Sequence, residues 1–390
     1  MRLTYCGNVH PADSVAEWLE VVAEHAVPLA ARAAEARRSF GLGAYWPAPL
    51  AAELATDAAV RARVAQALAA HSLSLWTLNV FPYEGFHDEV VKSAVYLPDW
   101  SHEDRLVYTR QSAEALAGVA AEMGAMPTEV VPLSTLPLGY RGPGQPEPDL
   151  RMMARNLARA ASALADLRER TGVHFVLALE PEPFCLVETC AETADFLERW
   201  LFEEGAWSTV PTRVLRDHLG ICVDLCHLAV VGEDPVAALD DLRARGIAVP
   251  KIQVSSCLES RDPAGLDELL GYDEPRYLHQ TAAEAGARAL DLAEVAGRRE
   301  EFAAGGRVRT HFHMPLWWDC AGPFGSTRAE VERVLGELAR RAASGEEMPL
   351  LEVETYTWPV LGDRHADWAG KPLAERLQAE LDFAAKPFES

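Results

Sequence analysis

The stretch Val176-Leu177-Ala178-Leu179-Glu180-Pro181-Glu182-Pro183 decides the fold: an apolar run meets a carboxylate and then a proline-bounded loop. An apolar run without alternation reads as a strand buried on both faces, the habit of parallel sheets covered by helices. Outward from it, similar runs occupy residues 3–9, 41–46, 73–80, 129–133, 220–225, 249–255, 307–314 and 349–355, nine with the first. Amphipathic stretches rich in Ala, Leu, Glu and Arg separate them at 11–38, 101–123, 149–171, 192–204, 281–304 and 327–343. This strand–helix alternation is the grammar of an α/β fold, and its repetition predicts a (β/α)₈ TIM barrel. Nine runs for eight barrel positions leave one over. The weakest, 307–314, is an extra strand or an extended loop over the mouth. Thr327 followed by Glu330 predicts a capping box. Residues 132–148 read as a long βα loop. With no linker-like break, residues 1–390 are expected to form a single TIM-barrel domain with extended βα loops and a C-terminal helix.

The 390 residues are 49% hydrophobic, enough for a large core, and carry a formal charge of −23. That charge repels a phosphate backbone, so nucleic acid is not expected as a ligand. The N-terminus lacks the apolar run of a signal peptide and no span of about 18 uncharged apolar residues occurs, so a cytoplasmic protein without membrane insertion is expected. Seven cysteines without a CxxC pair predict reduced core thiols.

In a parallel barrel the chemistry gathers at the C-terminal strand ends. Glu180 ends one strand. Ile221-Cys222-Val223-Asp224 ends the next, with His227 three residues on. Lys251, Gln253 and Ser255 alternate along another, so they share a face. His311 and His313 repeat that spacing, as do Glu352 and Glu354. Taken singly, Glu180 reads as a buried salt-bridge acid, Asp224 as a helix cap and each imidazole as a core histidine. Jointly, several inward carboxylates are costly without a counter-charge, which points to a bound cation. Oxygen and imidazole donors without thiolate suit Mn, Mg, Co or Zn, and the choice stays open. The candidate metal set is Glu180, Asp224, Gln253, His311, His313 and Glu354. Trp46, Phe81, Trp317, Trp318, Tyr356 and Trp358 gather at the same ends, as core packing or as an apolar wall for a sugar or cyclitol. Asn8, His10, Asn79 and His87 are candidates for contacting hydroxyl groups. Candidate substrate contacts are Asn79, Phe81, His87, Trp317 and Trp358. No phosphate-cradling loop or nucleophile elbow is present.

These residues resemble the xylose-isomerase-like TIM-barrel superfamily, whose members carry a strand-end metal Glu, an Asp-x-x-His, a strand His and a Glu on the last strand. Glu180, Asp224 with His227, and Glu354 match; Gln253 stands where the strand His is usual. The His311-x-His313 segment is similar to an additional metal-binding segment of endonuclease IV. The opening Leu3-Thr4-Tyr5-Cys6-Gly7-Asn8, the stretch Leu78-Asn79-Val80-Phe81-Pro82-Tyr83, the run Ser134 to Gly139 and the run Leu351 to Trp358 resemble the EboE family of metabolite-traffic proteins along nearly the whole chain. The resemblance implies a divalent metal ion and a polyol or cyclitol substrate. It further implies a metal-dependent isomerase or epimerase acting through an enediolate, with Glu180 and Glu354 relaying protons and His227 holding a substrate oxygen. A dehydratase on an inosose-like ketone would share that enolate. A non-catalytic metabolite-binding or trafficking protein on the same barrel is the rival reading; phosphodiester hydrolysis is opposed by the charge and by Gln253. Homo-oligomers are common in the superfamily, and the oligomeric state is left open.

Overall fold

The computed structural model describes residues 1–203 and 209–389. The proposed helical residue Glu204 lies outside them. Eight parallel strands make the barrel: β1 (Leu3–Tyr5), β2 (Leu42–Tyr45), β3 (Leu75–Asn79), β4 (Val131–Thr135), β5 (Phe175–Leu179), β6 (Leu219–Asp224), β7 (Ala248–Val254) and, last in the chain, β13 (Leu350–Val353). They are hydrogen-bonded in the order β1-β13-β7-β6-β5-β4-β3-β2, and a parallel bridge from Cys6 to Gly43 meets across the remaining seam. The seam is tight. A Cβ at Gly43 would sit 2.6 Å from the Tyr5 carbonyl oxygen and would run into the Glu352 carboxylate, so glycine is required there.

Between β7 and β13 the chain inserts a five-stranded antiparallel sheet: β8 (Ser256–Ser260), β9 (Thr281–Ala283), β10 (Arg288–Ala289), β11 (Val308–Met314) and β12 (Phe324–Ser326), in the order β10-β9-β11-β8-β12. β8 follows β7 after Ser255 alone, so this sheet starts at the C-terminal rim. The extra run at 307–314 is therefore a strand of the insertion, paired to β8 and β9. The register of β11 against β8 slips between Thr310 and His313, the kind of bulge that re-aims side chains beside functional sites.

Two helical expectations are corrected. Residues 281–304 are not one helix: β9 and β10 form a hairpin through Gly286 at φ 98°, a conformation glycine adopts freely, before two short helices at Leu292–Gly297 and Arg299–Ala304. Thr327 does not form a capping box. Its hydroxyl accepts from the Cys257 N–H at 2.8 Å, while the Glu330 carboxylate pairs with Arg309. Real capping boxes stand at Ser14/Glu17 and Thr189/Glu192. The loop after β4 begins beyond Thr135, because Pro132 to Thr135 are in the strand. All seven cysteines are free. No helix among the described residues is long and apolar enough to cross a membrane.

Candidate metal centre

Strand register sets the floor of the site. Asp224 on β6 lies level with Gln253 on β7, and Gln253 with Glu352 on β13. Below the rim, the Lys251 Nζ donates to Glu352 Oε2 at 2.7 Å and to Ser134 Oγ at 2.8 Å, all fully buried. That ion pair accounts for one inward acid and one inward lysine. Above it, Glu180, Asp224 and Glu354 place one carboxylate oxygen each within 4.8 Å of the others. Three buried anions at this spacing repel by ~3–4 kcal/mol per pair at an effective dielectric of ~20. Burial and the neighbouring acids push the Glu180 carboxyl well above its ordinary range and Glu354 up to about 8, while burial raises Asp224 against the pull of His313 and Ser255.

The supporting bonds fix each group. Asp224 Oδ1 accepts from the His227 N–H at 2.7 Å and Asp224 accepts from Ser255 Oγ–H at 2.9 Å, so it caps the helix at Leu225–Val231 and faces the site as well. Asn8 and Asn79 donate to Glu354 Oε1 at 2.7 and 3.3 Å. Glu180 Oε2 has no hydrogen-bond partner.

The imidazoles are oriented alike. His227 Nδ1 lies 2.9 Å from the Pro181 carbonyl, His313 Nδ1 2.7 Å from the Glu354 carbonyl, and His311 Nδ1 2.8 Å from Gln280 Oε1. Each acceptor requires Nδ1–H, so each neutral ring presents an Nε2 lone pair. Burial keeps them neutral, holding all three at about 3. His227 and His311 point their Nε2 atoms at each other across 3.1 Å, and His313 Nε2 has no partner. Two lone pairs face to face are relieved by a cation, and a carbonyl behind each ring is the usual outer support of a metal-bound histidine. Besides the carboxylate trio, Asp224/His227/His313 and Glu182/His227/His311 each bring ligand atoms within 4.8 Å. The donor set and its unpartnered buried atoms fit a divalent ion.

Of the residues singled out in the sequence, Glu180, Asp224, His227, His311, His313 and Glu354 come together. Gln253 is fully buried at the same level, with neither amide atom partnered, but does not line the cavity. Asn79 and Phe81 line it. His87, Trp317 and Trp358 do not, a correction. His87 is half-buried against the Asn8 and His10 backbone, and Trp317 stacks on Trp358, whose Nε1–H is held by Glu380 of the C-terminal helix at 2.9 Å. Sequence reading missed Glu182, Tyr96 and Gln280, which form one network: Tyr96 donates to Glu182 at 2.7 Å and Gln280 Nε2 lies 2.6 Å from Tyr96 Oη. Glu182, two residues after Glu180 in a proline-bounded loop, carried the one available signal.

A family model described as a xylose isomerase-like TIM barrel matches residues 31–268, more than half of the chain. The chain belongs to that family. The family match spans Glu180, Asp224, His227 and Gln253 and ends before His311, His313 and Glu354. No curated protein matches the chain. Among solved structures it is similar to the IOLI protein with a bound zinc atom (13% identity, 100% of both chains, TM-score 0.46). It is also similar to a D-allulose 3-epimerase from Methylomonas sp. in complex with D-allulose (14%, 71% of this chain and 83% of that one, 0.40). A third is a family 2 AP endonuclease from Brucella melitensis (18%, 65% and 78%, 0.38).

Proposed function

We propose that this chain is a divalent-metal-dependent isomerase or epimerase of a polyhydroxylated ketone, a sugar or cyclitol, of the EboE kind its sequence resembles. The observation that carries the reading is that Glu180, Glu354, His227, His311 and His313 line one cavity, with the buried Asp224 carboxylate within 4.8 Å of ligand atoms of both acids and, in a second trio, of His227 and His313. Glu180, Asp224 and Glu354, with His313 supplying the imidazole that Gln253 does not, are the residues that would hold the ion. When bound there, it supplies electrophilic polarisation of a carbonyl and its neighbouring hydroxyl.

The chain's own groups account for the proton traffic. Glu180 and Glu354 both border the cavity, so one ionised carboxylate can take the α-proton while the other, protonated, returns one to the enediolate. General acid–base groups of this kind contribute ~10²–10⁴-fold in rate. Asn8 and Asn79 hold the Glu354 carboxylate in position. His227, its Nδ1–H fixed on Pro181, orients a substrate oxygen.

The test is elemental analysis together with solvent exchange. The purified chain should carry about one equivalent of divalent metal, lost in Glu180→Gln and Asp224→Asn and lowered in His311→Ala, and it should wash deuterium from D₂O into the α-position of a polyol ketone. Absence of metal after reconstitution would sink the reading. A metal-loaded protein that binds such ketones without exchange would make it a binding protein.

A further inference from the structure

The cavity above the candidate metal centre is divided by which of its polar atoms are free. On the floor, Asn8 Oδ1, Glu180 Oε2 and His313 Nε2 are buried and unpartnered. On the wall contributed by the 81–96 loop and the insertion, the polar groups of Lys92, Tyr96 and Gln280 are already engaged and the Tyr277 hydroxyl is free. Lys92 Nζ, the one Lys or Arg nitrogen in the lining, places its donors on Asp291 Oδ2 (2.6 Å), the Tyr277 carbonyl (2.8 Å) and the Glu274 carbonyl (3.1 Å). An ammonium has three donors, so none is left. Tyr96 and Gln280 are bound to each other and to Glu182 and His311. The rest of this wall is Phe81, Phe86, Val91, Val95, Tyr277 and Leu278.

A free sugar or cyclitol carries hydroxyls all round. Those facing this wall would lose water without gaining a partner, at ~1–3 kcal/mol each. A phosphate would meet no free cation in the lining, and acids below. Two exposed apolar residues adjoin this wall in the chain. Val90 and Leu97, which flank Val91, Val95 and Tyr96 in the chain, are 62% and 54% exposed. Tyr277, whose hydroxyl is buried without a partner, offers one donor on this side, enough for a single linking oxygen.

We infer that the substrate is an uncharged amphiphile: a hydroxyketone head on the metal floor, joined through an oxygen to an apolar substituent that lies along Phe86, Val91, Tyr277 and Leu278 and leaves past Val90 and Leu97. The inference rests on the metal-dependent isomerase reading for the head and adds the tail.

The test is calorimetric binding to the Mn²⁺-loaded full chain of three ligands with the same smallest head: dihydroxyacetone, its mono-O-octyl ether and its phosphate. The ether is expected to bind at least tenfold more tightly than dihydroxyacetone, and the phosphate no more tightly. Phe86→Ala should remove most of the gain, whereas Tyr277→Phe, which keeps the ring, should retain at least half of it. Thermal melts of each variant show that it is folded. Equal affinities, a tighter phosphate, a gain that survives Phe86→Ala, or no binding by any of the three overturns the inference. α-Proton exchange of dihydroxyacetone in D₂O, read in parallel, reports on the isomerase reading, so a protein that exchanges but ignores the octyl chain separates the two.

Discussion

Glu180, Asp224 and Glu354 stand at the ends of parallel barrel strands, whereas His311 and His313 stand on β11 of the antiparallel inserted sheet. The rim contributes carboxylates that burial drives toward protonation, with His227 beside them; the insertion contributes His311 and His313, which burial keeps neutral. On the proposed function this is a division of labour: the barrel's carboxylates would do the proton transfer and the insertion's imidazoles would complete the metal's coordination.

The sharpest way to break that division is to cut each side separately. Glu354→Gln should lower kcat by ~10²–10⁴-fold whatever the metal concentration, because it removes a general acid–base group. His313→Ala should instead raise the metal concentration needed for half-activity by ~10–100-fold and recover most of kcat at saturation. Steady-state kinetics across a Mn²⁺ titration distinguishes them. A kcat loss in His313→Ala that metal cannot restore would place chemistry on the insertion.

Beneath both halves, the Lys251–Glu352 pair is a test of the rim alone. Lys251→Met leaves Glu352 buried and uncompensated, and one Glu352 oxygen is unpartnered already. Breaking a buried pair from one side costs ~3–5 kcal/mol, to be read as a lowered denaturant midpoint. Lys251→Met combined with Glu352→Leu should recover much of it. A single variant as stable as the parent would mean that the lumen does not depend on this charge pair.

The same contrast explains what the sequence made legible. Parallel barrel strands advertise themselves, because burial on both faces forces continuous apolar runs, and all nine runs became strands. Glu180, Asp224 and Glu354 were visible because a charge ending such a run is conspicuous. The insertion was not legible: Thr281 to Ala289 is short, alanine-rich and interrupted by Gly286, so a hairpin looked like the start of a helix. Gln280, Tyr96 and Glu182 were missed because they meet only through tertiary pairing of a loop with the insertion. Trp317 and Trp358 misled because tryptophan near a strand end is bulky in sequence whichever way it packs; here they cover the barrel under Glu380.

In pH, the carboxylates and the imidazoles of the metal-free protein should fail in opposite directions. Glu354, raised from 4.5 to about 8, favours the folded state below 4.5 and loses that contribution as pH rises through 8. The imidazoles, lowered from 6.5 to about 3, contribute above 6.5 and lose stability as pH falls toward 3. Unfolding free energy, followed through the melting temperature, should therefore drop from pH 6.5 to 8 through the carboxylates and from 4.5 to 3.5 through the imidazoles, by as much as ~1.4 kcal/mol per pH unit for each group. Bound metal should flatten the alkaline drop, since it stabilises ionised carboxylates. An alkaline drop unchanged by metal would detach Glu354 from the centre.

The smallest expected effect sharpens the comparison most. Gln253 sits level with Asp224, buried, with both amide atoms unpartnered, at the position where the sequence resemblance implies a strand histidine ligand. If His313 fills that ligand's role from the insertion, Gln253→His adds a donor that the centre does not need, and metal affinity should change by less than about tenfold, since one added donor is worth little when the site is already complete. In the His313→Ala background the same substitution should matter, restoring part of the lost affinity from the barrel side. Competitive chelator titrations of the two single variants and the double variant give the coupling directly. Additive effects would mean that Gln253 and His313 serve different places, and rescue would mean that the insertion has taken over a ligand position from the barrel.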